Sequence, residues 1–312
     1  MVQRLGYTDV DIVYYSPNVN GRKIWDDLVP YGQVWRAGAN DNTTISFNDD
    51  VTINGKPLAA GIYGLHLIPG KDEWTIIFSK NHTSWGSFFY KKEEDALRVT
   101  AKPEPHEMQE WLDYTFTDRK AASAKVTMSW EKVKVSFTVA VDVDAVALRH
   151  FREQLRNTAG FNWHGWEEAA HYCIVNKINY AEGMQWADNS IRMEENYTNL
   201  AAKAQLQQLA GDAAGAAVTR KKMMELVGQA SETGANQFAY ELMNEDDMQG
   251  ALEVFKMNVK KHPDRWNAYD SMAEAYGRAG DKKQSVTNYK AALAKAPAEQ
   301  QERIRKAITA MQ

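Results

Sequence analysis

The sequence predicts an α+β protein of two domains: an antiparallel β-sandwich or jelly-roll-like domain over residues 1–143 and an all-α domain of helical repeats over residues 144–312. Three observations support this division. Apolar and polar residues alternate with a period of two in the first part, which is typical of strands with one buried face. From about Asp144 the apolar positions recur at intervals of three and four, which is typical of amphipathic helices. The second part also contains an internal repeat, which indicates an array of helix pairs.

Turn residues separate the predicted strands at intervals of roughly 8–12 residues, which favours a sandwich or a jelly roll. Asn54-Gly55 predicts a two-residue hairpin turn, and Pro69–Asp72 predicts a turn between two further strands. Glu131-Lys132 lies between two alternating segments, and we expect a tight hairpin there. The predicted strands cover approximately residues 9–15, 43–48, 51–53, 62–68, 74–78, 97–101, 111–117, 126–130 and 133–141.

The internal repeat has a period of 34 residues, since Ala239 is equivalent to Ala273 and Pro263 to Pro297. Small residues where two helices cross, large residues between them and a proline after the second helix resemble the tetratricopeptide repeat. The resemblance implies two clear repeats, two weaker copies before them and a capping helix after them. These segments are Glu232–Arg265 and Trp266–Glu299, then Asn196–Ser231 and Asn162–Glu195, and finally Gln300–Gln312.

The composition excludes several classes of protein. Lys and Arg number 37 against 41 Asp and Glu, and no basic stripe is present, so nucleic acid is not an expected partner. No run approaches about 18 consecutive apolar residues, so no transmembrane segment is expected. The single cysteine, Cys173, excludes an intramolecular disulfide. Because it lies on a predicted helix between two apolar residues, we expect it to be a buried small side chain rather than a nucleophile.

An ordered series of motifs in the first part resembles a known family. The motifs include Gly21-Arg22, Leu28–Gly32, Val34–Asn40, Gly55-Lys56, Ala60–Tyr63, Ile68–Gly70, Asp72–Thr75 and Trp85-Gly86. Residues 3–142 are identified on this basis as a member of the DUF2911 family, which occurs largely in Bacteroidota-type bacteria and is often followed by tetratricopeptide-like repeats. The resemblance implies an organisation and no activity, because none is established for the family.

The resemblance also implies a location. Family members usually carry an export signal, so we expect a mature periplasmic or cell-envelope protein, with a cytoplasmic protein as the alternative. The sequence departs from the family at one point, where Tyr14-Tyr15-Ser16-Pro17 replaces an expected Tyr-Ser-Arg-Pro pattern. If the missing arginine serves a ligand site in relatives, the site is altered in this chain.

The segment Trp35–Asn40 is the first candidate site. Gly38 between two alanines allows close backbone approach. Arg36 offers a fixed charge and a fork of donors that suits a carboxylate or a phosphate, so an anion clamp formed with Asn40 is one interpretation. The alternative is an arginine paired with a nearby acid and an asparagine that forms a turn.

His66, Trp85 and Arg22 complete the predicted ligand-binding set. His66 lies on a predicted strand and is interpreted as a hydrogen-bonded structural histidine or, alternatively, as a general base. No metal site is expected, because no second histidine lies at ligand spacing. Trp85 ends a polar loop that begins at Asn81, and of the tryptophans only Trp25 and Trp85 are expected to be free for stacking on a sugar.

Two functions of different classes remain open from the sequence. The first is a non-enzymatic binding or scaffolding protein of the cell envelope, whose repeats bind a protein or peptide through a surface that includes Asn267, Asp270 and Arg278. Its own alternative is an array that only braces the β domain. The second is an enzyme or a binder of a small anion or carbohydrate, with a pocket around Arg36 and His66. No nucleophile elbow, Walker loop or dinucleotide fingerprint is present, so no catalytic residue is assigned and no cofactor is expected.

Overall fold

The structure, a computed structural model, describes residues 1–244 and 246–311, so Gln312 of the predicted capping helix lies outside the described residues. The chain divides into two compact units, residues 1–150 and residues 151–312, which are called the β unit and the helical unit below. Helix α1, Val143–Gln154, begins in the first unit and ends in the second. All residues of the β unit are described.

Neighbouring strands of the β unit are antiparallel throughout, as the alternating sequence predicts. They form one sheet in the order β1-β2-β3-β6-β7-β8 and a second in the order β5-β4-β10-β9. The strands are β1 Val2–Leu5, β2 Thr8–Val13, β3 Thr44–Phe47, β4 Val51–Ile53, β5 Lys56–Leu58, β6 Gly61–Ile68, β7 Trp74–Ser79, β8 Asp95–Ala101, β9 Glu104–Lys120 and β10 Ser123–Ala140.

Two of the three predicted turns are confirmed, and the third is wrong. Asn54 and Gly55 have φ angles of 48° and 80° and join β4 to β5 as a two-residue hairpin. Glu131-Lys132, however, lies within the single strand β10, which pairs with β9 through register shifts on both sides of Glu131. Glu131 has a φ of 55°, and a β-bulge of this kind lets alternation continue beyond it without a reversal of the chain.

The two sheets contribute to one apolar core. Phe78 on β7 and Phe137 on β10 pack edge to face with ring centroids 5.5 Å apart. Trp74 on β7 and Trp130 on β10 are both buried, as their place in alternating segments predicts. Burial of such large aromatic side chains removes more apolar surface from water than burial of any other residue type, so these rings dominate the stability of the unit.

Two more tryptophans attach the long segment between β2 and β3 to this core. Trp25 packs edge to face on Trp74 with ring centroids 4.8 Å apart, and Trp35 stacks on Trp130 at 5.8 Å. The expectation that Trp25 is free for a ligand is therefore wrong, since it is 8% exposed. Trp111 on β9, not predicted to be free, is 56% exposed. The segment that carries Trp25 has no strand periodicity from which its burial could be predicted.

A buried carboxylate fixes the start of α1 within the β unit. Asp49 accepts a hydrogen bond of 2.8 Å from Thr8 Oγ1 and forms an ion pair with Arg149. His150 Nε2 lies 3.6 Å from the same carboxylate, and its ring stacks on Tyr7 with centroids 5.4 Å apart. A carboxylate removed from water requires such partners, which makes these contacts specific as well as strong.

Consecutive helices of the helical unit pack in pairs, α2 on α3, α4 on α5, α6 on α7 and α8 on α9. Asp212, Asp247 and Asp281 cap the second helices of the last three pairs, because each accepts a hydrogen bond from a backbone N–H of the first helical turn. The helices are α2 Trp163–Asn176, α3 Tyr180–Met193, α4 Tyr197–Leu209, α5 Ala213–Val227, α6 Glu232–Asn244, α7 Met248–Lys261, α8 Trp266–Arg278, α9 Lys282–Leu293 and α10 Ala298–Met311.

The helices reproduce the 34-residue repeat of the sequence. Helices α6 and α8 begin at Glu232 and Trp266, and α7 and α9 begin at Met248 and Lys282, which are the predicted equivalent positions. Tyr240 on α6 donates a hydrogen bond of 2.8 Å to Glu274 Oε2 on α8, so neighbouring pairs are joined by polar contacts as well as by apolar packing. None of the described helices is long and apolar enough to cross a membrane.

Asp270 does not lie on the surface of the repeats, contrary to expectation. It is buried, and its carboxylate accepts a hydrogen bond of 2.8 Å from Arg303 Nη2 on α10. Burial raises the pKa of Asp270, and the charge of Arg303 opposes this effect. Arg278 pairs with Glu274 at 2.7 Å within α8. Polar residues of these repeats therefore serve contacts inside the helical unit.

We expect Trp74→Ala to lower the free energy of unfolding of the β unit by about 3–5 kcal/mol, because removal of a buried indole leaves a cavity between the two sheets. Urea unfolding of the full chain, followed by far-ultraviolet circular dichroism, measures the change. Trp111→Ala is the matched control, and it should cost less than about 0.5 kcal/mol because that ring is exposed. Equal losses in the two variants would contradict the central place of Trp74 in the core.

Candidate ligand-binding site

A cleft of about 320 Å³ opens on the surface of the β unit. Its lining comes from the segment between β2 and β3 and from the segment between β7 and β8. Most of these side chains are apolar, and Arg36 and Ser87 offer polar groups to the cleft. The lining residues are Leu28, Val29, Pro30, Gln33, Val34, Trp35, Arg36, Ser87 and Phe88. A concave, mostly apolar surface with a few polar groups is the usual form of a small-molecule site.

Backbone contacts on both sides hold Arg36 in place. On one side, Trp35 exchanges two backbone hydrogen bonds of 2.8 and 2.9 Å with Leu67 of β6. On the other, the carbonyl oxygen of Ala37 accepts hydrogen bonds from Tyr114 Oη at 2.8 Å and Thr43 Oγ1 at 3.2 Å. Arg36 therefore projects from a backbone that is tied to the core, although it belongs to a segment without regular secondary structure.

The guanidinium of Arg36 lacks the acidic partner that one interpretation of the sequence required. Its Nε is buried without a hydrogen-bond partner, and no ion pair joins it to any residue of the fully described β unit. Gly86 accommodates the group, because a Cβ at this position would lie 2.6 Å from Arg36 Nη1. Gly86 also has a φ of 60°, so glycine is required there for two reasons. A buried donor without an acceptor costs free energy until a ligand supplies one.

His66 is 3% exposed on β6 and is hydrogen-bonded through both ring nitrogens. Nδ1 lies 2.9 Å from Ser87 Oγ, and Nε2 lies 3.4 Å from the side-chain amide nitrogen of Asn42. Burial lowers the pKa of His66 to about 4, although the charge of Asp95 acts in the opposite direction. The imidazole is therefore neutral at pH 7 and acts through a fixed tautomer.

Ser87 connects the two predicted residues that the structure brings together. His66 does not line the cleft itself, but its hydrogen-bond partner Ser87 does. Gly86, the residue before Ser87, packs against the Arg36 guanidinium. Arg36 and His66 thus act on the same cleft, one directly and the other through a hydroxyl group.

A polar network supports the other side of His66. The His66 ring packs edge to face on Tyr90 with centroids 5.2 Å apart. Tyr90 Oη donates a hydrogen bond of 2.8 Å to Asp95 Oδ2, and Arg98 binds both Asp95 and Tyr90. Burial, followed by the contact with Asp95, raises the pKa of Tyr90 to about 12, so this hydroxyl remains a donor. The network fixes the position of the segment that carries Ser87.

Three predicted site residues do not line the cleft. Asn40 is exposed and has a φ of 54°, so it forms a turn. Trp85 is 54% exposed and lies outside the lining. Arg22 donates hydrogen bonds to the carbonyl oxygens of Val19 and Asn18, at 3.0 and 2.5 Å, and so fixes its own turn. The pocket predicted around Arg36, Asn40, His66 and Trp85 is formed only by Arg36 and, indirectly, His66.

Sequence reasoning missed Ser87, Phe88 and Asn42. Ser87 and Phe88 follow the predicted polar loop directly, and their position one and two residues beyond Gly86 was the available signal. Phe88 is highly exposed at the cleft, which is unusual for a phenylalanine and typical of a binding surface. Asn42 gave no signal, because its contact with His66 joins residues that are 24 positions apart.

The described residues show no group of three or more His, Cys, Asp or Glu side chains that could hold a metal ion. Cys173 in the helical unit is buried, as expected. Burial raises the pKa of its thiol to about 11, so the reactive thiolate is a minor species at pH 7. The candidate site therefore consists of the cleft around Arg36 and Ser87.

Comparison with known families agrees with the motifs of the first part. The family model DUF2911, a protein of unknown function, matches residues 1–139. The β unit is a DUF2911 domain. No curated protein matches the chain. The bacterial group in which such domains largely occur stays a prediction for this chain.

Solved structures similar to the chain match its helical part, and their TM-scores are low. A MamA double mutant has a TM-score of 0.27 and 15% identity, over 48% of this chain and 82% of that one. YrrB, described as a TPR protein with an unusual peptide-binding site, has a TM-score of 0.27 and 16% identity, over 51% of this chain and 81% of that one. Yeast Tom70 has a TM-score of 0.28 and 12% identity, over 53% of this chain and 42% of that one. Likeness at this level carries no functional information.

We expect the buried, neutral state of His66 to make the stability of the DUF2911 domain depend on pH. The folded pKa of about 4 lies below the ordinary value of 6.5, so only the unfolded chain takes up this proton between those values. Stability should fall as the pH falls through this window, by about 3 kcal/mol in total. Urea unfolding between pH 7 and pH 4 measures it.

His66→Gln should remove this part of the pH dependence. The exposed His106→Gln serves as the control and should keep it, because it leaves the buried imidazole in place. An unchanged pH profile in His66→Gln would show that the imidazole of His66 is not held neutral by the fold.

Proposed function

We propose that the DUF2911 domain binds a small carboxylic acid with an apolar tail in the cleft around Arg36. The observation that carries the proposal is the buried Nε of Arg36, which has no partner although the cleft is beside it. Every other arginine that the β unit holds in a partly buried hydrogen-bonded position serves a carbonyl or a carboxylate of the domain, as Arg22 and Arg98 do. Arg36 is held by its backbone and leaves its donors for a ligand.

The chemistry of the guanidinium favours a carboxylate. Arginine presents a planar fork of N–H groups that matches the two oxygens of a carboxylate, and it remains charged at any physiological pH. A ligand carboxylate would supply an acceptor to the donor that now lacks one. Exclusion of water by the cleft strengthens such a contact relative to the same pair at an open surface.

The rest of the cleft favours an apolar group next to that carboxylate. Leu28, Val29, Pro30, Trp35 and Phe88 contribute aliphatic and aromatic surface around the two polar side chains. A volume of about 320 Å³ lies at the lower end of the range for small-molecule sites. The site therefore suits a short branched or aromatic acid better than a sugar, whose many hydroxyl groups would lack partners there.

The helical unit favours a second role in binding a protein partner. Its helix pairs repeat every 34 residues, and stacked helix pairs form extended surfaces that bind proteins in many repeat families. We propose on this basis a scaffolding protein whose DUF2911 domain responds to a small acid. Its placement in the cell envelope is part of the proposal and is supported by the export signals of the family it resembles. Fractionation of the native host, with detection by antibody, tests the placement, and recovery in the cytoplasm alone would contradict it.

We expect 4-methylpentanoate to stabilise the protein against heat, because it combines a carboxylate with a short branched tail. At 100 times its Kd a ligand contributes about 2.7 kcal/mol, which a thermal-shift assay detects readily. Arg36→Gln should remove the shift, since it deletes the charge and keeps much of the side-chain volume.

Arg119→Gln is the control for this experiment. Arg119 is an exposed arginine of β9 that bonds a carbonyl oxygen of its own strand, so its loss should leave the shift unchanged. An equal shift in the wild-type protein and in a folded Arg36→Gln variant would contradict carboxylate binding by Arg36.

A further inference from the structure

The side-chain amide of Asn42 determines how His66 and Ser87 share their protons. Asn42 is buried beneath the cleft, and its amide nitrogen faces His66 Nε2 at 3.4 Å. In this orientation Asn42 Oδ1 is buried without a hydrogen-bond partner. The oxygen and nitrogen of a side-chain amide have nearly the same shape, so hydrogen bonding is what decides between the two orientations.

The surroundings of Asn42 Oδ1 favour the opposite orientation. A Cβ on Gly64 would lie 2.6 Å from Asn42 Oδ1 and in still closer contact with the backbone carbonyl oxygen of Asn81. Two acceptor oxygens thus face the same point, with no donor between them. Rotation of the amide by 180° places its NH₂ group next to the Asn81 carbonyl and its oxygen next to His66 Nε2. This exchange gives both buried groups a partner and moves no other atom.

The rotated amide fixes the tautomer of His66. An amide oxygen accepts, so His66 Nε2 must carry the proton and donate it to Asn42 Oδ1. A neutral imidazole carries a single N–H, which leaves Nδ1 as an acceptor. Ser87 Oγ lies 2.9 Å from Nδ1, and its hydroxyl must therefore donate to His66. The opposite tautomer would have His66 donate to Ser87 and leave the serine hydroxyl as a donor to the cleft.

Ser87 consequently offers its oxygen lone pairs, and not its proton, to the cleft that it lines. A ligand that places an oxygen acceptor there would meet another acceptor, whereas a ligand with an O–H or N–H group would form a hydrogen bond. Arg36 lies beside the same wall of the cleft, because its guanidinium packs on Gly86. The donor of the ligand must accordingly lie close to its carboxylate.

We infer that the ligand is a carboxylic acid with a hydrogen-bond donor on the carbon next to the carboxylate, as in an α-hydroxy acid or an N-acylated α-amino acid. This inference rests on the proposed function, since Arg36 holds the carboxylate. Ser87 is the residue that sets the specificity, and Asn42 and His66 are positioning residues that fix the direction of its hydroxyl group.

Three acids that differ only at the α carbon test the inference by isothermal titration calorimetry. They are 4-methylpentanoate with no polar group, L-2-hydroxy-4-methylpentanoate with a donor, and 4-methyl-2-oxopentanoate with an acceptor only. The hydroxy acid should bind about tenfold more tightly than 4-methylpentanoate, as one hydrogen bond predicts, and the keto acid more weakly than both. Keto acid binding that equals or exceeds hydroxy acid binding would overturn the inference.

Ser87→Ala should bring the hydroxy acid and 4-methylpentanoate to within about twofold of each other. Ser84→Ala is the matched control, because Ser84 lies in the same loop, bonds Asn81 and does not line the cleft. N-acetyl-L-leucine should share the preference and lose it in Ser87→Ala. Retention of the full hydroxy acid preference in a folded Ser87→Ala variant would overturn the inference.

The tautomer of His66 provides a measurement that needs no ligand and no variant. Long-range ¹H–¹⁵N correlation of the imidazole should show a proton on Nε2 and none on Nδ1 at pH 7. A proton on Nδ1 would overturn the inference even if carboxylates bind. Absence of binding by all three acids would instead overturn the proposed function, and the His66 spectrum would still report the direction of the Ser87 hydroxyl.

Discussion

The packing of four tryptophan side chains is the constraint on which the rest of the DUF2911 domain depends. Trp74 and Trp130 come from different sheets, and Trp25 lies within contact distance of both, with ring centroids 4.8 and 5.8 Å away. Trp35 completes the cluster and also forms part of the cleft. Because the interior of a protein is close-packed, these rings hold the segment between β2 and β3 as firmly as a strand would. The position of Arg36 follows, since it is the next residue after Trp35.

The domain satisfies the buried polar groups on one side of the cleft and leaves them unsatisfied on the other. Tyr90, Asp95 and Arg98 bind one another, and burial and mutual contact together fix their protonation. Arg36 lies against a wall with the same degree of order and yet has a buried donor without an acceptor. A fold that provides partners so consistently elsewhere makes this exception informative, because an unpaired buried donor costs stability that only a bound ligand restores. The cleft is therefore interpreted as a binding site rather than a defect of packing.

The candidate site was only partly predictable from the sequence. Arg36 and His66 were identified because a charged group inside a glycine- and alanine-rich segment and a histidine on an apolar strand are conspicuous as residue types. Ser87 was not, since a serine in a polar loop resembles any other until its distance to His66 is known. Trp25 shows the converse error: it lies in a segment without periodicity, so its burial depends on contacts with residues from distant parts of the chain. Local pattern carries no information about such contacts.

The sequence by itself determined the order of strands and helices, the 34-residue repeat and the family of the first part, because these depend on periodicity, turn residues and motifs that neighbouring residues express. The tertiary structure alone decided that Glu131 forms a bulge within one strand and not a hairpin, since that depends on whether β9 continues alongside. It alone decided that Asp270 is buried against α10. It also decided that His66 reaches the cleft through Ser87, and that the amide of Asn42 sets the direction of that hydroxyl. Each of these outcomes depends on a partner that is distant in the chain, and only folding brings such partners within reach of a hydrogen bond.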